Sequence, residues 1–104
     1  MNTCYKRKTL IEEEANAEDE VILKVLQERR KQDEKWSIDW SISDLYFNAI
    51  LMEEVGEVSR AIQEKDMEAL MSELVQVAAV CVRWLTALTI NRNTWLRNRV
   101  RQYK

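Results

Sequence analysis

The chain has 104 residues, with one glycine, no proline and no histidine, and 33% of its residues are charged, for a net charge of −2. Tight turns are built mainly from Gly, Pro, Asn and Asp, so this composition excludes sandwiches, barrels and doubly wound sheets. A hydrophobic share of 46%, with four tryptophans, also excludes a disordered chain. We expect one small all-α domain.

The composition also limits the chemistry of the chain. Without histidine there is neither the usual catalytic base nor a Ser-His-Asp or Cys-His nucleophile. The two cysteines, Cys4 and Cys81, lie in a charged segment and in an apolar run, which argues against a disulfide framework or a structural zinc site and favours a reducing cytoplasm. We expect any catalysis to use carboxylates and a metal ion.

The first predicted elements are a leader and a helix. Residues 1–16 show no apolar period and lack the apolar core of a signal peptide, so we predict a charged leader that is frayed or forms a short capping turn. Over residues 17–35, apolar positions followed by a charged run predict a first helix whose second half is mostly solvated. Ser and Asp alternate with large apolar residues over 36–43, which predicts a loop or a broken helix.

Two further helices follow in the chain. Ser43 or Asp44 is expected to cap a second helix, which carries apolar residues at helical spacing and ends near residues 64–66. Asp66 and Met67 open a third, central helix whose apolar positions follow the helical period to about Leu88.

The third helix is apolar nearly all round over residues 74–82, so it should be covered on more than one side. A chain of this length has few other helices to cover it. We therefore predict a helix bundle whose core is completed by oligomerisation, as a homodimer or homotetramer. The apolar run 74–88 contains Gln76 and Arg83, and we expect it to be too short and too polar to span a membrane.

Charge is unevenly placed along the chain. Five basic and no acidic residues follow Leu88, so the first 88 residues hold 11 basic and 18 acidic side chains, a net charge of −7. A basic tail can contact phosphates or suit a helix C-terminus, but the acidic body disfavours nucleic acid as a partner. We divide the chain into the leader 1–16, a helical domain 17–90 and a basic C-terminal segment 91–104.

The residues that point to chemistry lie on the second and third helices. Glu54 and Glu57 are neighbours at i and i+3 with Glu53 beside them, and Glu73 and Gln76 repeat that spacing on the third helix. Across an antiparallel helix pair, these oxygens could face one another and suit a hard divalent cation such as Mg²⁺ or Mn²⁺. The alternative is that the glutamates are ordinary surface residues.

The only glycine, Gly56, lies inside this acidic motif. Gly in a helix interior costs about 1 kcal/mol relative to Ala. We therefore expect a neighbouring helix or a ligand to come close to Gly56.

With Glu53-Glu54-Val-Gly-Glu57 followed by Glu73-Leu-Val-Gln76, the chain resembles the MazG-like, all-α nucleoside triphosphate pyrophosphohydrolase superfamily. The hallmark of that superfamily is E-E-x-x-E on one helix and E-x-x-D on a later one. The likeness extends over about residues 28–88. It departs from the pattern at Gln76, where the family usually has Asp.

The resemblance implies Mg²⁺-dependent cleavage of a (d)NTP to (d)NMP and pyrophosphate, in nucleotide-pool housekeeping. It implies Glu54, Glu57 and Glu73 as metal ligands, with Gln76 as a weaker neutral one. Glu53 would be an accessory catalytic carboxylate, holding the attacking water or an outer-shell metal water.

Three further residues are candidates for substrate contacts. Lys35 could meet a phosphate, and the resemblance implies that Trp36 stacks on the nucleobase, although burial in the core or in a dimer interface is the commoner fate of Trp. Arg83 lies two turns beyond Gln76 and could contact the β or γ phosphate, or form an ion pair within its helix or between subunits. The competing interpretation of the whole chain is a noncatalytic helical oligomerisation protein.

Overall fold

A computed structural model of the chain describes residues 3–36 and 43–102, with side chains at 7, 9–35 and 43–97. Within these residues the chain forms three helices and no strand: α1 (Thr3–Trp36), α2 (Asp44–Gln63) and α3 (Met67–Gln102). The all-α prediction is confirmed. The predicted loop or broken helix over 36–43 lies largely outside the described residues, although Trp36 is still helical.

The first helix begins at Thr3, so the prediction of a frayed leader is wrong for most of residues 1–16. Good helix formers such as Glu, Ala and Lys dominate this segment, and neither Gly nor Pro interrupts it. The side chains of residues 10–24 are all exposed, apolar ones such as Leu10 and Ile22 included. This half of α1 therefore buries no side chain against the described parts of the chain.

The second helix starts where the sequence predicts. Ser43 is the N-cap, with φ −70° and ψ 155°, and its Oγ accepts a hydrogen bond from the Tyr46 N–H at 3.3 Å. At the other end, Lys65 adopts a left-handed conformation with φ 56°. Its N–H donates to the Ile62 carbonyl at 3.2 Å and the Asp66 N–H to the Ala61 carbonyl at 3.1 Å, which closes α2 with a Schellman motif.

The third helix also starts as predicted and runs much further. Asp66 caps it, because its Oδ1 accepts from the Ala69 N–H at 3.0 Å. The helix continues past Leu88 through most of the basic segment to Gln102. The polar residues Thr89 and Thr94 stay within it by donating their hydroxyl groups to the carbonyls one turn earlier, at 2.7 and 3.0 Å.

The central position of α3 is confirmed, since α3 packs against both α1 and α2. The buried apolar residues come from α2 and α3 and are Phe47, Ala61, Ala79, Val80 and Ala87. The single chain is elongated: its radius of gyration is 19.1 Å, whereas a compact domain of about 100 residues has about 13 Å.

A buried ion pair joins α1 to α3. The Arg83 side chain is 1% exposed, and its Nε lies 2.9 Å from Asp33 Oδ1, within ion-pair distance but without hydrogen-bond geometry. Asp33 Oδ2 also accepts from Arg29 at 3.0 Å. The Arg83 guanidinium lies 5.7 Å from the centre of the Phe47 ring, and that ring stacks on Trp84. Arg83 therefore links all three helices.

By length and composition, α3 could cross a membrane over part of Met67–Arg97, where an 18-residue stretch has a mean hydropathy of 1.5. The expectation that the apolar run is too short to span a membrane concerned residues 74–88 alone. The core helix of a soluble protein meets the same criterion, and α3 carries the Arg83 pair and packs on two helices.

Candidate active site

The facing acidic rows meet at Glu54 on α2 and Glu73 on α3, whose side chains share a hydrogen bond. Burial raises the pKa of Glu54 from its ordinary 4.5 to about 7, and the hydrogen bond to Glu73 adds to the rise. The charges of Glu73, Glu53 and Glu57 raise the same pKa further. The two helices therefore hold one carboxyl group that retains its proton near neutral pH.

The donors present here fit a divalent cation. Glu73 Oε2 is buried and has no hydrogen-bond partner among the described residues. Two carboxyl groups in contact, one of them with an unpaired buried oxygen, have the oxygen chemistry that Mg²⁺ and Mn²⁺ prefer. The pairing of Glu54 with Glu73 thus agrees with the predicted metal ligands.

The rest of the predicted ligand set is not gathered around one point. Glu57 is turned towards Arg60, with 3.7 Å between Oε2 and the guanidinium, and Glu53 is exposed. Over residues 3–36 and 43–102, no group of three or more His, Cys, Asp or Glu side chains is placed to hold a metal ion. Glu57 would have to leave Arg60 to join Glu54 and Glu73.

A cleft of about 100 Å³ lies where the three helices meet, next to the acidic pair. Its lining comprises four residues of α1, one of α2 and one of α3: Glu28, Lys31, Gln32, Lys35, Glu54 and Gln76. The predicted phosphate contact Lys35 is thus close to the predicted metal ligand Glu54. Lysines beside a carboxylate pair are the charges that a triphosphate with a divalent cation requires.

Gln76, the residue that departs from the E-x-x-D pattern, also lines this cleft. Its main-chain carbonyl accepts a hydrogen bond from Gln32 Nε2 at 3.4 Å. The motif position is therefore adjacent to Glu54 and connected to α1.

Three other predicted positions lie away from the cleft or outside the described side chains. Arg83 is buried against Asp33 and does not line the cleft, so in the single chain it joins two helices, and its phosphate contact stays a prediction. A Cβ placed on Gly56 would meet no atom within 4 Å, so none of the described helices comes close there, and the approach of a ligand stays a prediction. The side chain of Trp36, the predicted base contact, lies outside the described residues.

Sequence reasoning missed Glu28, Lys31 and Gln32. The charged run of α1 was expected to be mostly solvated, yet Gln32 is only 4% exposed. A signal was present: Glu28, Gln32 and Lys35 recur at i, i+4 and i+7 and continue the half-buried face that begins at Val25. Because none of these three is apolar, an apolar pattern could not reveal this face.

Comparison with protein families identifies the domain that holds the acidic pair. Residues 43–87, 45 of the 104 residues, match the family described as MazG nucleotide pyrophosphohydrolase domain. The matched segment holds Glu54, Glu73 and Gln76 on their two helices. Residues 43–87 are MazG-like. The predicted resemblance is confirmed. The matched family is one of nucleotide pyrophosphohydrolase domains.

No curated protein and no solved structure matches the chain. The cleft residues of α1 lie before the matched segment of the MazG-like domain. Their assignment to the site therefore depends on the structure, which places them opposite Glu54 and Gln76.

Proposed function

We propose that this chain hydrolyses a nucleoside triphosphate to the monophosphate and pyrophosphate, with Mg²⁺ or Mn²⁺, in the cytoplasmic housekeeping of nucleotide pools. The observation that carries the proposal is the cleft that joins Glu54, paired with Glu73, to Lys31 and Lys35 of α1. A metal-bound triphosphate needs anionic ligands for the cation and cations for the outer phosphates, and this cleft offers both.

The residues that would hold Mg²⁺ are Glu54 and Glu73, joined by Glu57 and, as a neutral ligand, by Gln76. When bound there, Mg²⁺ supplies neutralisation of phosphate charge and activation of a water molecule. Gln76 in place of a carboxylate lowers the negative charge of the site by one.

The other residues divide the remaining tasks. Lys31 and Lys35 lie one turn apart on α1 and are exposed, so their ammonium groups can bind the phosphates at the edge of the cleft. Glu53 is exposed beside Glu54 and is the proposed acceptor for a proton of the water that adds across the α–β anhydride. Trp36 follows Lys35 directly and remains the predicted contact to the base.

We also infer that a second copy of the chain completes the bundle. Large apolar side chains are exposed on both helices of the acidic site, and these are Met52, Val55, Ile62, Met67, Met71, Leu74, Leu85 and Leu88. Soluble monomers rarely leave so much apolar surface in contact with water. Sedimentation at micromolar concentration should show a homodimer or homotetramer, and a monomer would contradict this inference.

A panel of canonical and modified (d)NTPs, incubated with Mg²⁺ and assayed for pyrophosphate, tests the activity. We expect release from the wild type on at least one nucleotide and little from Glu57→Ala or Glu73→Gln. Glu68→Gln, an exposed carboxylate of α3, is the matched control and should behave like the wild type. If the wild type releases no more pyrophosphate than Glu57→Ala on every nucleotide, the alternative of a noncatalytic helical oligomerisation protein is favoured.

A further inference from the structure

Gln32 is a buried polar residue on α1 whose side-chain nitrogen has a hydrogen-bond partner and whose side-chain oxygen has none among the described residues. It is 4% exposed, and its Nε2 donates to the Gln76 carbonyl at 3.4 Å. Its Oε1 is buried and has no hydrogen-bond partner among the described residues. A buried amide oxygen without a partner is destabilising, so a ligand that satisfies Oε1 is to be expected.

The surroundings of this oxygen restrict what the ligand can be. Gln32 lines the same cleft as Glu54, and Glu54 is hydrogen-bonded to Glu73, whose Oε2 is likewise buried and unpartnered among the described residues. An amide oxygen accepts hydrogen bonds and binds cations, but it does not bind a phosphate oxygen. Amide and carboxylate oxygens are the ligands that a hard divalent cation prefers, and here they come from three adjoining helices.

We propose that Gln32 supplies an oxygen ligand from α1 to the divalent cation bound by Glu54 and Glu73. This inference rests on the proposed metal-dependent function and adds a third helix to its metal site. The hydrogen bond from Gln32 Nε2 to the main-chain carbonyl of Gln76 fixes the amide nitrogen, so Oε1 is the atom of this amide that is left for a cation. A neutral ligand besides Gln76 then comes from α1, a part of the chain outside the E-x-x-D motif.

Mn²⁺ binding to the full chain without nucleotide, measured by electron paramagnetic resonance of free Mn²⁺, tests the proposal separately from activity. Gln32→Met keeps the length of the side chain and removes the oxygen, so the affinity should fall by about tenfold or more. Gln32→Glu adds a carboxylate and should increase the affinity. Gln27→Met, an exposed position of α1, is the matched control and should leave it unchanged.

The outcomes separate this inference from the proposed function. If Glu54→Gln abolishes Mn²⁺ binding while both Gln32 variants bind like the wild type, Gln32 is not a ligand and the metal site of the proposed function stands. Gln32 is likewise excluded as a ligand if its variants change only nucleotide preference. If the wild type binds no Mn²⁺ with or without nucleotide, both proposals fail. Should Gln32→Met lose its helical circular dichroism, Gln32→Glu decides the question alone.

Discussion

Glu54 and Glu73 share a side-chain hydrogen bond between α2 and α3, and this bond requires that one of the two carboxyl groups be protonated. Because the pKa of Glu54 is raised from 4.5 to about 7, the folded protein binds this proton more tightly than the unfolded chain does. Glu54 therefore favours folding most below pH 4.5. That contribution is lost as the pH rises to about 7 and is absent above it.

Glu54→Gln should remove this pH dependence, because the amide is neutral like the protonated acid. In EDTA at about pH 8 we expect the variant to be more stable than the wild type by on the order of 1 kcal/mol. This is less than the full pKa shift would give, because solvent screens part of the charge on Glu54. At pH 4.5 the two should be equally stable. Urea unfolding at both pH values measures the difference. Glu68→Gln serves as the control, and an equal gain at both pH values would show that charge in the acidic pair is not the cause.

The Asp33–Arg83 pair is the second contact with a measurable consequence. Arg83→Met keeps the apolar part of the side chain but leaves Asp33 with Arg29 alone, so we expect a loss of about 3 kcal/mol in the free energy of unfolding. Arg60→Met, which breaks exposed ion pairs only, should cost less than about 1 kcal/mol. Chemical denaturation of both variants compares the two sites.

The same variant separates the structural role of Arg83 from the predicted phosphate contact. If Arg83 only holds the helices together, the folded fraction of Arg83→Met should have the wild-type KM for the nucleotide. Asp33→Asn combined with Arg83→Met should recover part of the lost stability, because no unpaired charge is then buried. If Arg83→Met instead has wild-type stability and a raised KM for the nucleotide, the result supports the predicted phosphate contact.

Lys65 offers a prediction about the turn between α2 and α3. Its φ of 56° is a conformation that glycine adopts at little cost and that L residues with a Cβ adopt with strain. Lys65→Gly should therefore stabilise the protein by about 0.5–1 kcal/mol, the greater entropy of the unfolded chain offsetting part of the gain. Thermal unfolding measures it. Lys65→Ala retains the strain, and a similar gain from Ala would show that loss of the charge is responsible.

Both ends of that turn could be read from the sequence, and so could the cap of α2. Ser43 and Asp66 are short polar side chains placed directly before apolar helical patterns, and each accepts a hydrogen bond from the third residue beyond it. The pairing of Glu54 with Glu73 was equally accessible, because spacing on a helix fixes which residues share a face.

What the sequence could not supply comes from contacts distant along the chain. Gln32 and Asp33 belong to a run of charged and polar residues that normally indicates solvent, and only their partners on α3 bury them. The helix over the predicted leader was missed for a different reason. An apolar pattern identifies a helix through the face that it buries. The apolar residues of this part of α1 are exposed in the single chain, so there is no such face to identify.

Gln76 lines the cleft beside Glu54, so the residue that replaces the expected Asp can be tested directly. Gln76→Asp adds one negative charge, and we expect tighter Mn²⁺ binding in titration and faster pyrophosphate release. The main-chain carbonyl of residue 76 remains to accept the hydrogen bond from Gln32. Ser72→Asp adds the same charge at an exposed position one turn earlier on α3 and should have little effect.

Combining Gln76→Asp with Gln32→Met then distinguishes two sources of the neutral ligand. If Gln32 is a ligand, Gln32→Met lowers the Mn²⁺ affinity. The carboxylate of Gln76→Asp should then restore part of this affinity, because it replaces the lost oxygen ligand. If Gln76→Asp alone leaves Mn²⁺ affinity unchanged, the side chain at position 76 lies outside the metal shell. Its contribution is then confined to the main-chain contact that positions Gln32.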